Sequence, residues 1–231
     1  MVGPLRRGRL WLGVACVWIL CFWYLSNSGS FTLFGDEDPL QGKGPNAWTR
    51  RPAKYPIATE KLATLPKGDA NVKIPQIQAV PPTENAVAKE LRLTRLAAVK
   101  KSFEHSWSGY SNYAWMHDEV TPLTGKSKDP FGGWAATLVD SLDTLWIMDM
   151  KDEFTKAVAA ADGIDFTKSS MNTINIFETT IRYLGGFLSA YELSGRTHAT
   201  LLKKAIEVGN LIMCAFDTPN HMPVTRWEWK K

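Results

Sequence analysis

Apolar side chains recur at helical spacing through most of the second half of this 231-residue chain. Residues three and four positions apart lie on the same face of a helix, so this spacing predicts helices with one buried face. It predicts helices over residues 134–150, 152–161, 177–193 and 201–215, and in the first of them the shared face carries Leu138, Leu142, Leu145 and Trp146. Residues 86–231 are therefore predicted to form an all-α domain of paired antiparallel helices.

A further helix is predicted to begin after Pro81 and Pro82, where Thr83 is a suitable N-cap. Its apolar residues recur at near-helical spacing: Val87, Leu91, Leu96, Val99 and Phe103. Short strands are predicted at most around residues 164–167 and near Val224. Ser194 and Gly195 are predicted to end the helix over residues 177–193, because glycine accepts the left-handed backbone that follows many helices.

The N-terminus carries an uncharged apolar run over residues 10–25, which spans about 24 Å as a helix at about 1.5 Å per residue. The hydrocarbon core of a bilayer is about 30 Å thick, so flanking residues must extend the span. Bulky Trp23 and Tyr24 near its end favour an uncleaved signal anchor over a cleaved signal peptide. Basic residues before the run and acidic residues after it predict a cytosolic N-terminus.

The segment between the anchor and the helices is rich in proline. Residues 35–85 hold eight of the thirteen prolines, with scattered charges and little apolar periodicity. We interpret residues 26–85 as an extended stem, and a small irregular subdomain with residues 74–80 as an edge strand is the alternative. The predicted layout is a tail over residues 1–9, an anchor over 10–25, this stem, and the helical domain over 86–231.

Charge and cysteine usage exclude several classes of function. Of the net charge of +4, three units come from residues 6–9 and one from residues 35–85, so residues 86–231 balance to zero and nucleic-acid binding is not favoured. Two of the three cysteines, Cys16 and Cys21, lie in the apolar run, so no disulfide framework is predicted for the folded region. Cys214 is interpreted as a small buried residue. The four histidines show no metal-ligand spacing, and no phosphate-binding loop or serine-hydrolase motif occurs.

The helix over residues 177–193 contains one carboxylate among apolar and small residues. One predicted core face carries Phe177, Ile181, Leu184, Leu188 and Tyr191. The neighbouring row carries Glu178, Arg182, Gly185 and Ser189. The two small residues, Gly185 and Ser189, would let backbone or a ligand approach the charged pair closely. Because the remaining faces are also apolar or small, the helix is expected to be largely buried. A buried carboxylate is costly unless it is paired or used, so Glu178 is either a structural ion-pair partner of Arg182 or a functional acid facing an enclosed cavity.

Other acidic residues are weaker candidates. Asp140 and Asp143 could line a cavity, although Asp143 could equally face solvent or a neighbouring cation. Asp118 and Glu119 could cap a helix or anchor a loop.

Four blocks occur in order between Ser106 and Trp229: SWSGYSNYAWMHDEVTPL, GGWAATLVDSLDTLWIM, NIFETTIRYLGGFLSAYELSG and AFDTPNHMPVTRWEW. Together they resemble the class I α-1,2-mannosidases of glycoside hydrolase family 47, specifically the N-terminal part of a fungal-like type II membrane member. The resemblance implies an (α/α) toroid, here incomplete, with a calcium ion near the base of its cavity. It also implies inverting hydrolysis of terminal α-1,2-linked mannose from high-mannose N-glycans, with Glu178 as the catalytic general acid and Arg182 as a substrate-binding residue.

The resemblance implies residence in the endoplasmic reticulum or Golgi membrane, with a luminal catalytic domain. Met116 and Val120 depart from the usual family residues. The family's later blocks, with the other catalytic carboxylates, the disulfide cysteines and the calcium-binding threonine, are not among these 231 residues. We therefore expect this sequence alone to lack independent mannosidase activity. The alternatives are a degradation-linked mannosidase-like glycan-binding protein and an anchored helical interaction module without catalysis.

Overall fold

Helices dominate the part of the chain that the computed structural model describes, namely residues 47–64, 75 and 77–229. The main helices are α1 (Ala86–Tyr113), α2 (Ala136–Ile147), α3 (Lys151–Asp162), α4 (Ile176–Glu178, Thr179–Leu184 and Gly185–Leu193 in succession) and α5 (Ala199–Met213). The central segment of α4, Thr179–Leu184, is π-helical. Short 3₁₀ turns cover Thr59–Lys61 and Cys214–Phe216. The predicted helical class is confirmed.

Two short antiparallel strand pairs accompany the helices. Strands β1 (Glu119–Thr121) and β2 (Lys126–Lys128) form a hairpin, and β3 (Ile174–Asn175) pairs with β4 (Arg226–Trp227). No strand forms over residues 164–167, so that prediction is wrong, and the strand predicted near Val224 begins two residues later. Residues 75 and 77–80 are not in a strand either.

The core lies where α4 packs against α2 and α5, with α3 packed against the same two neighbours. Leu138, Leu142 and Leu145 of α2 are fully buried, as the sequence predicts. At Gly186 of α4 an added Cβ would lie 2.9 Å from the carbonyl oxygen of Val139. This glycine therefore sets how closely α2 and α4 approach.

The core face of α4 differs from the predicted one. Phe177 and Ile181 are 64% and 51% exposed, whereas Tyr183 and Phe187 are fully buried. The buried row also contains Thr179 and Ala190, so it is displaced around the helix from the predicted stripe. The prediction failed because α4 carries apolar side chains on more than one face, and periodicity alone does not choose between them.

The helix predicted after Pro82 is confirmed as α1, but most of the apolar residues that predict it do not face the core. Its residues from Val87 to Val99 are exposed, and the buried side chains of α1 are Trp107 and Tyr110, near its C-terminal end. Asn85, rather than Thr83, is the N-cap, because its side chain accepts a hydrogen bond of 2.8 Å from the Ala88 amide. Within the described residues, the first half of α1 therefore contributes little to the core.

The segment over residues 47–55, here called the strap, contacts the helical domain. The Trp48 amide donates to the Thr167 carbonyl at 2.8 Å, and the Trp48 ring meets the Trp227 ring edge-on at 5.4 Å. The Lys54 and Tyr55 amides donate to the carboxylate of Asp217 at 2.8 and 2.7 Å. Part of the segment interpreted as a stem thus lies against the folded domain.

The predicted membrane anchor over residues 10–25, together with Cys16 and Cys21, lies outside the described residues. Among the helices that are described, none combines the length and the apolar character needed to cross a bilayer. Cys214 is only partly buried, and its thiol contacts the Asn210 carbonyl at 3.5 Å.

Candidate active site

Glu178 lies in the first turn of α4, directly before the π-helical segment. Asn175 caps this turn, because its side-chain oxygen accepts from the Glu178 amide at 3.3 Å. The Thr179 hydroxyl donates to the Asn175 carbonyl at 2.8 Å. The Glu178 side chain keeps 26% of its exposure, so the carboxylate is held in a defined place yet is accessible to a ligand. Single π-helical turns recur at functional sites.

Arg182 joins two carboxylates. Its Nε donates to Oε2 of Glu178 at 2.8 Å, and its Nη1 donates to Oδ2 of Asp140 on α2 at 2.5 Å. The guanidinium also lies over the Phe131 ring, 4.3 Å from the centroid. The predicted pairing of Glu178 with Arg182 is confirmed, and Asp140 is the further member of the cluster.

The electrostatics of this cluster leave a negative charge in excess. Burial raises the pKa of the Asp140 carboxyl above its ordinary value, against the opposing effect of the Arg182 guanidinium. Burial alone would lower the pKa of Arg182, but its hydrogen bonds to Asp140 and Glu178 raise it on balance. The Arg182 guanidinium is thus shared by two carboxylates, one on α2 and one on α4.

Asp143 lies on α2 one turn after Asp140 and bonds differently. Its carboxylate accepts from the Ser189 hydroxyl of α4 at 2.7 Å and lies 3.2 Å from the Thr144 hydroxyl. Ser189 thus joins the two helices through this bond. Gly185 makes no close contact, with a nearest atom 3.6 Å from an added Cβ, so Gly186 rather than Gly185 permits the close approach.

A cavity of about 200 Å³ opens beside Glu178. Aromatic and polar side chains share its wall: Phe131, Trp134, Asn175, Tyr183 and Arg226. The Glu178 carboxylate thus lies at the wall of a cavity that also presents aromatic surfaces and hydrogen-bonding groups.

Asp118 holds the loop that forms one side of this cavity. Its carboxylate, fully buried, accepts hydrogen bonds from four backbone amides: Oδ2 from Phe131 and Gly133 at 2.7 and 2.9 Å, and Oδ1 from Trp134 and Ala136 at 2.9 and 3.2 Å. The Tyr183 hydroxyl lies 3.3 Å from Oδ1. The expectation that Asp118 anchors a loop is confirmed, whereas neighbouring Glu119 forms a half-exposed ion pair with Lys128 at 2.6 Å.

The model of the family described as glycosyl hydrolase family 47 matches residues 102–231. The chain belongs to this family. The resemblance inferred from the four sequence blocks is therefore confirmed, and the cluster around Glu178 lies within the matched region of this family 47 chain.

Curated relatives and a solved structure agree with this assignment. The endoplasmic reticulum mannosyl-oligosaccharide 1,2-alpha-mannosidase of Rattus norvegicus is 44% identical over 130 residues, which cover 56% of this chain and 19% of the rat protein. Mannosyl-oligosaccharide 1,2-alpha-mannosidase MNS1 of Arabidopsis thaliana is 40% identical over 165 residues, which cover 71% of this chain and 28% of the plant protein. The chain thus spans less than a third of the length of either relative.

The structure of an alpha-1,2-mannosidase from Trichoderma reesei superposes with a TM-score of 0.55 and 34% sequence identity. The match covers 58% of this chain and 30% of the Trichoderma chain.

The described residues do not fit a calcium site. No group of three or more acidic, histidine or cysteine side chains is placed to hold a metal ion within the described part of the chain. The carboxylates nearest to Glu178 already have partners, since Asp140 binds Arg182 and Asp143 binds Ser189. Calcium prefers six to eight oxygen ligands, which this cluster does not offer.

The sequence singled out Glu178, Arg182 and Asp140 as candidates, but not the other residues at the cavity wall. Asn175 was detectable, because asparagine is a favoured N-cap and stands three residues before Glu178. Phe131 and Arg226 gave no periodic signal, since each lies outside the helices and reaches the site through a loop or a two-residue strand.

Proposed function

We propose that this protein hydrolyses terminal α-1,2-linked mannose from high-mannose N-glycans, with inversion at the anomeric carbon. The observation that carries the proposal is the position of Glu178, a partly exposed carboxylate at the wall of a cavity in the family-matched region. The rat, plant and Trichoderma relatives are named as α-1,2-mannosidases, which supports this substrate class.

Glu178 is assigned as the general acid. In inverting glycosidases one carboxylic acid protonates the departing glycosidic oxygen while a second carboxylate activates water on the opposite face of the sugar. Arg182 holds Oε2 of Glu178, so we assign Oε1 as the oxygen that donates the proton.

Arg182 is assigned a second task, namely orienting Glu178. Its contacts with Asp140 and with the Phe131 ring fix the guanidinium from two sides, and a fixed guanidinium fixes the carboxylate that it binds. Calcium belongs to the proposal only as the metal that the family implies.

The proposal extends to the wider fold and location. The helices are proposed to belong to an (α/α) toroid, and residues 10–25 to anchor a luminal domain in the membrane of the secretory pathway. The rat relative is named as an endoplasmic reticulum protein, which supports this location.

The test is a product analysis on the protein at the length that its gene encodes, with calcium present. Proton NMR is recorded during the first minutes of reaction with an α-1,2-linked mannobiose and, as a control, its α-1,3-linked isomer. The proposal expects β-mannose to appear first and only from the α-1,2-linked substrate. Release of α-mannose first, or no mannose from either substrate, contradicts it.

A further inference from the structure

Arg226 shares the wall of the Glu178 cavity without an assigned role. It lies in β4, and its side chain is exposed at the opening of the cavity. Among the residues that the structure describes, none forms a side-chain hydrogen bond or an ion pair with its guanidinium. By contrast, Arg182 across the same site is held by two carboxylates.

Backbone pairing places Arg226 opposite the residue that caps α4. In the β3–β4 pair, Asn175 lies across from Arg226, and the Ile176 amide donates to the Thr225 carbonyl at 3.1 Å. Since Asn175 also caps the turn that carries Glu178, the position of Arg226 is tied to that of the proposed acid.

The strap supports β4 from the outside. Trp48 packs edge-on against Trp227, the residue next to Arg226, and the Trp48 backbone is bonded to Thr167. Asp217 holds the far end of the strap through two backbone amides. The strap lies outside the region that the family model matches, which begins at residue 102. A segment preceding the matched region therefore packs against the residue next to Arg226.

The chemistry of Arg226 suits the hydroxyl groups of a sugar. A guanidinium presents five donors in a planar fork and cannot accept a hydrogen bond, so it binds oxygen atoms. Neighbouring hydroxyls of a pyranose present such oxygens in pairs.

We propose that Arg226 is a specificity-determining residue that binds hydroxyl groups of the glycan beside Glu178, and that the strap, through Trp48 and Trp227, holds it in position. This inference rests on the proposed function for the identity of the glycan. Arg226 acts on binding and not on proton transfer, because it forms neither a hydrogen bond nor an ion pair with Glu178.

The test separates binding from turnover. KM and kcat for α-1,2-mannobiose are measured for the wild type and for Arg226→Met, and the Kd for the same sugar is measured by calorimetry in a Glu178→Gln background. Loss of a charged hydrogen-bond donor is expected to raise KM and Kd about tenfold, with kcat within about threefold of the wild type. Arg92→Met is the matched control. Arg92 lies on the exposed part of α1 and forms an ion pair with Glu84, so this substitution should change neither KM nor Kd.

A double variant tests whether the strap acts through Arg226. Trp48→Ala is expected to raise KM as Arg226→Met does, and the double variant is expected to be no worse than Arg226→Met alone. If Trp48→Ala fails to fold, Asp217→Asn replaces it, because that change releases the strap at its other end. A KM and Kd unchanged within about twofold in Arg226→Met, or fully additive effects, overturn the inference.

Failure of the proposed function gives a different result. If the wild type binds mannobiose without releasing mannose, the hydrolase proposal fails while the Kd comparison still decides the role of Arg226. If the wild type binds no mannobiose, the inference about Arg226 is overturned as well.

Discussion

Replacing Asp118 by asparagine tests how the loop beside the candidate site is held. The change keeps the shape of the side chain but converts one acceptor oxygen into an amino group. In the structure Oδ2 accepts from the amides of Phe131 and Gly133, and Oδ1 from those of Trp134 and Ala136. Whichever way the amide is oriented, two backbone N–H groups face a donor.

The expected cost follows from those two lost acceptors. A buried donor left without a partner costs about 1–3 kcal/mol, so Asp118→Asn is expected to lower the free energy of unfolding by about 2–6 kcal/mol. That is a large part of the total of about 5–15 kcal/mol typical of a folded domain. The loss should be accompanied by movement of Phe131, which lies against the Arg182 guanidinium.

Urea unfolding followed by tryptophan fluorescence measures this cost, with Glu119→Gln as the matched control. Glu119 is the adjacent residue and forms an ion pair whose side chains are 32% and 56% exposed, so its loss should cost less than about 1 kcal/mol. Tyr183→Phe, which removes only the hydroxyl near Asp118, gives a graded variant with an expected loss of about 1 kcal/mol. An Asp118→Asn protein as stable as Glu119→Gln would refute the reasoning.

Two further predictions concern packing and pH. Gly186→Ala places a Cβ 2.9 Å from the Val139 carbonyl oxygen, whereas Gly185→Ala meets nothing closer than 3.6 Å. Thermal unfolding should therefore show Gly186→Ala to be less stable than Gly185→Ala by about 1–3 kcal/mol. Equal stabilities would contradict the close packing of α2 and α4. Two strap amides hold the pKa of Asp217 below its ordinary value, so this stabilisation is present above about pH 4 and is lost as the pH falls further. Protection of the strap amides against hydrogen exchange should therefore decrease below that pH, and Asp217→Asn should remove this pH dependence. Protection that does not change with pH in the wild type would contradict the prediction.

The helices were predictable because their apolar residues have the period of a helix. Residues 134–150, 152–161, 177–193 and 201–215 each correspond to a helix in the structure, with ends displaced by a few residues. Periodicity could not identify the buried face of α4, where apolar residues occur all round. It also could not show that the first half of α1 is exposed, because exposure depends on which other elements pack nearby.

The candidate site was predictable only where neighbouring residues share a helix. Glu178 and Arg182 are four residues apart, so their pairing follows from helix geometry. The bond from Arg182 to Asp140 spans 42 residues, and the amides around Asp118 belong to a loop whose backbone donors leave no mark on residue type. Nor does the proline-rich composition of residues 35–85 reveal that Trp48 packs on Trp227.

The central claim is that Glu178 donates a proton to the departing sugar, and the direct test is the turnover of Glu178→Gln. Glu192→Gln is the matched control, since Glu192 lies on the same helix and pairs with Arg196 in the same i,i+4 geometry at 2.9 Å, but is exposed. On high-mannose N-glycan, we expect Glu178→Gln to lose at least about 10²-fold in kcat and Glu192→Gln to lose nothing. The free energy of unfolding of both variants should stay within about 1 kcal/mol of the wild type. A Glu178→Gln protein that keeps its kcat within a few-fold, or that loses stability instead of turnover, would show that Glu178 is a structural ion-pair partner and not the proton donor.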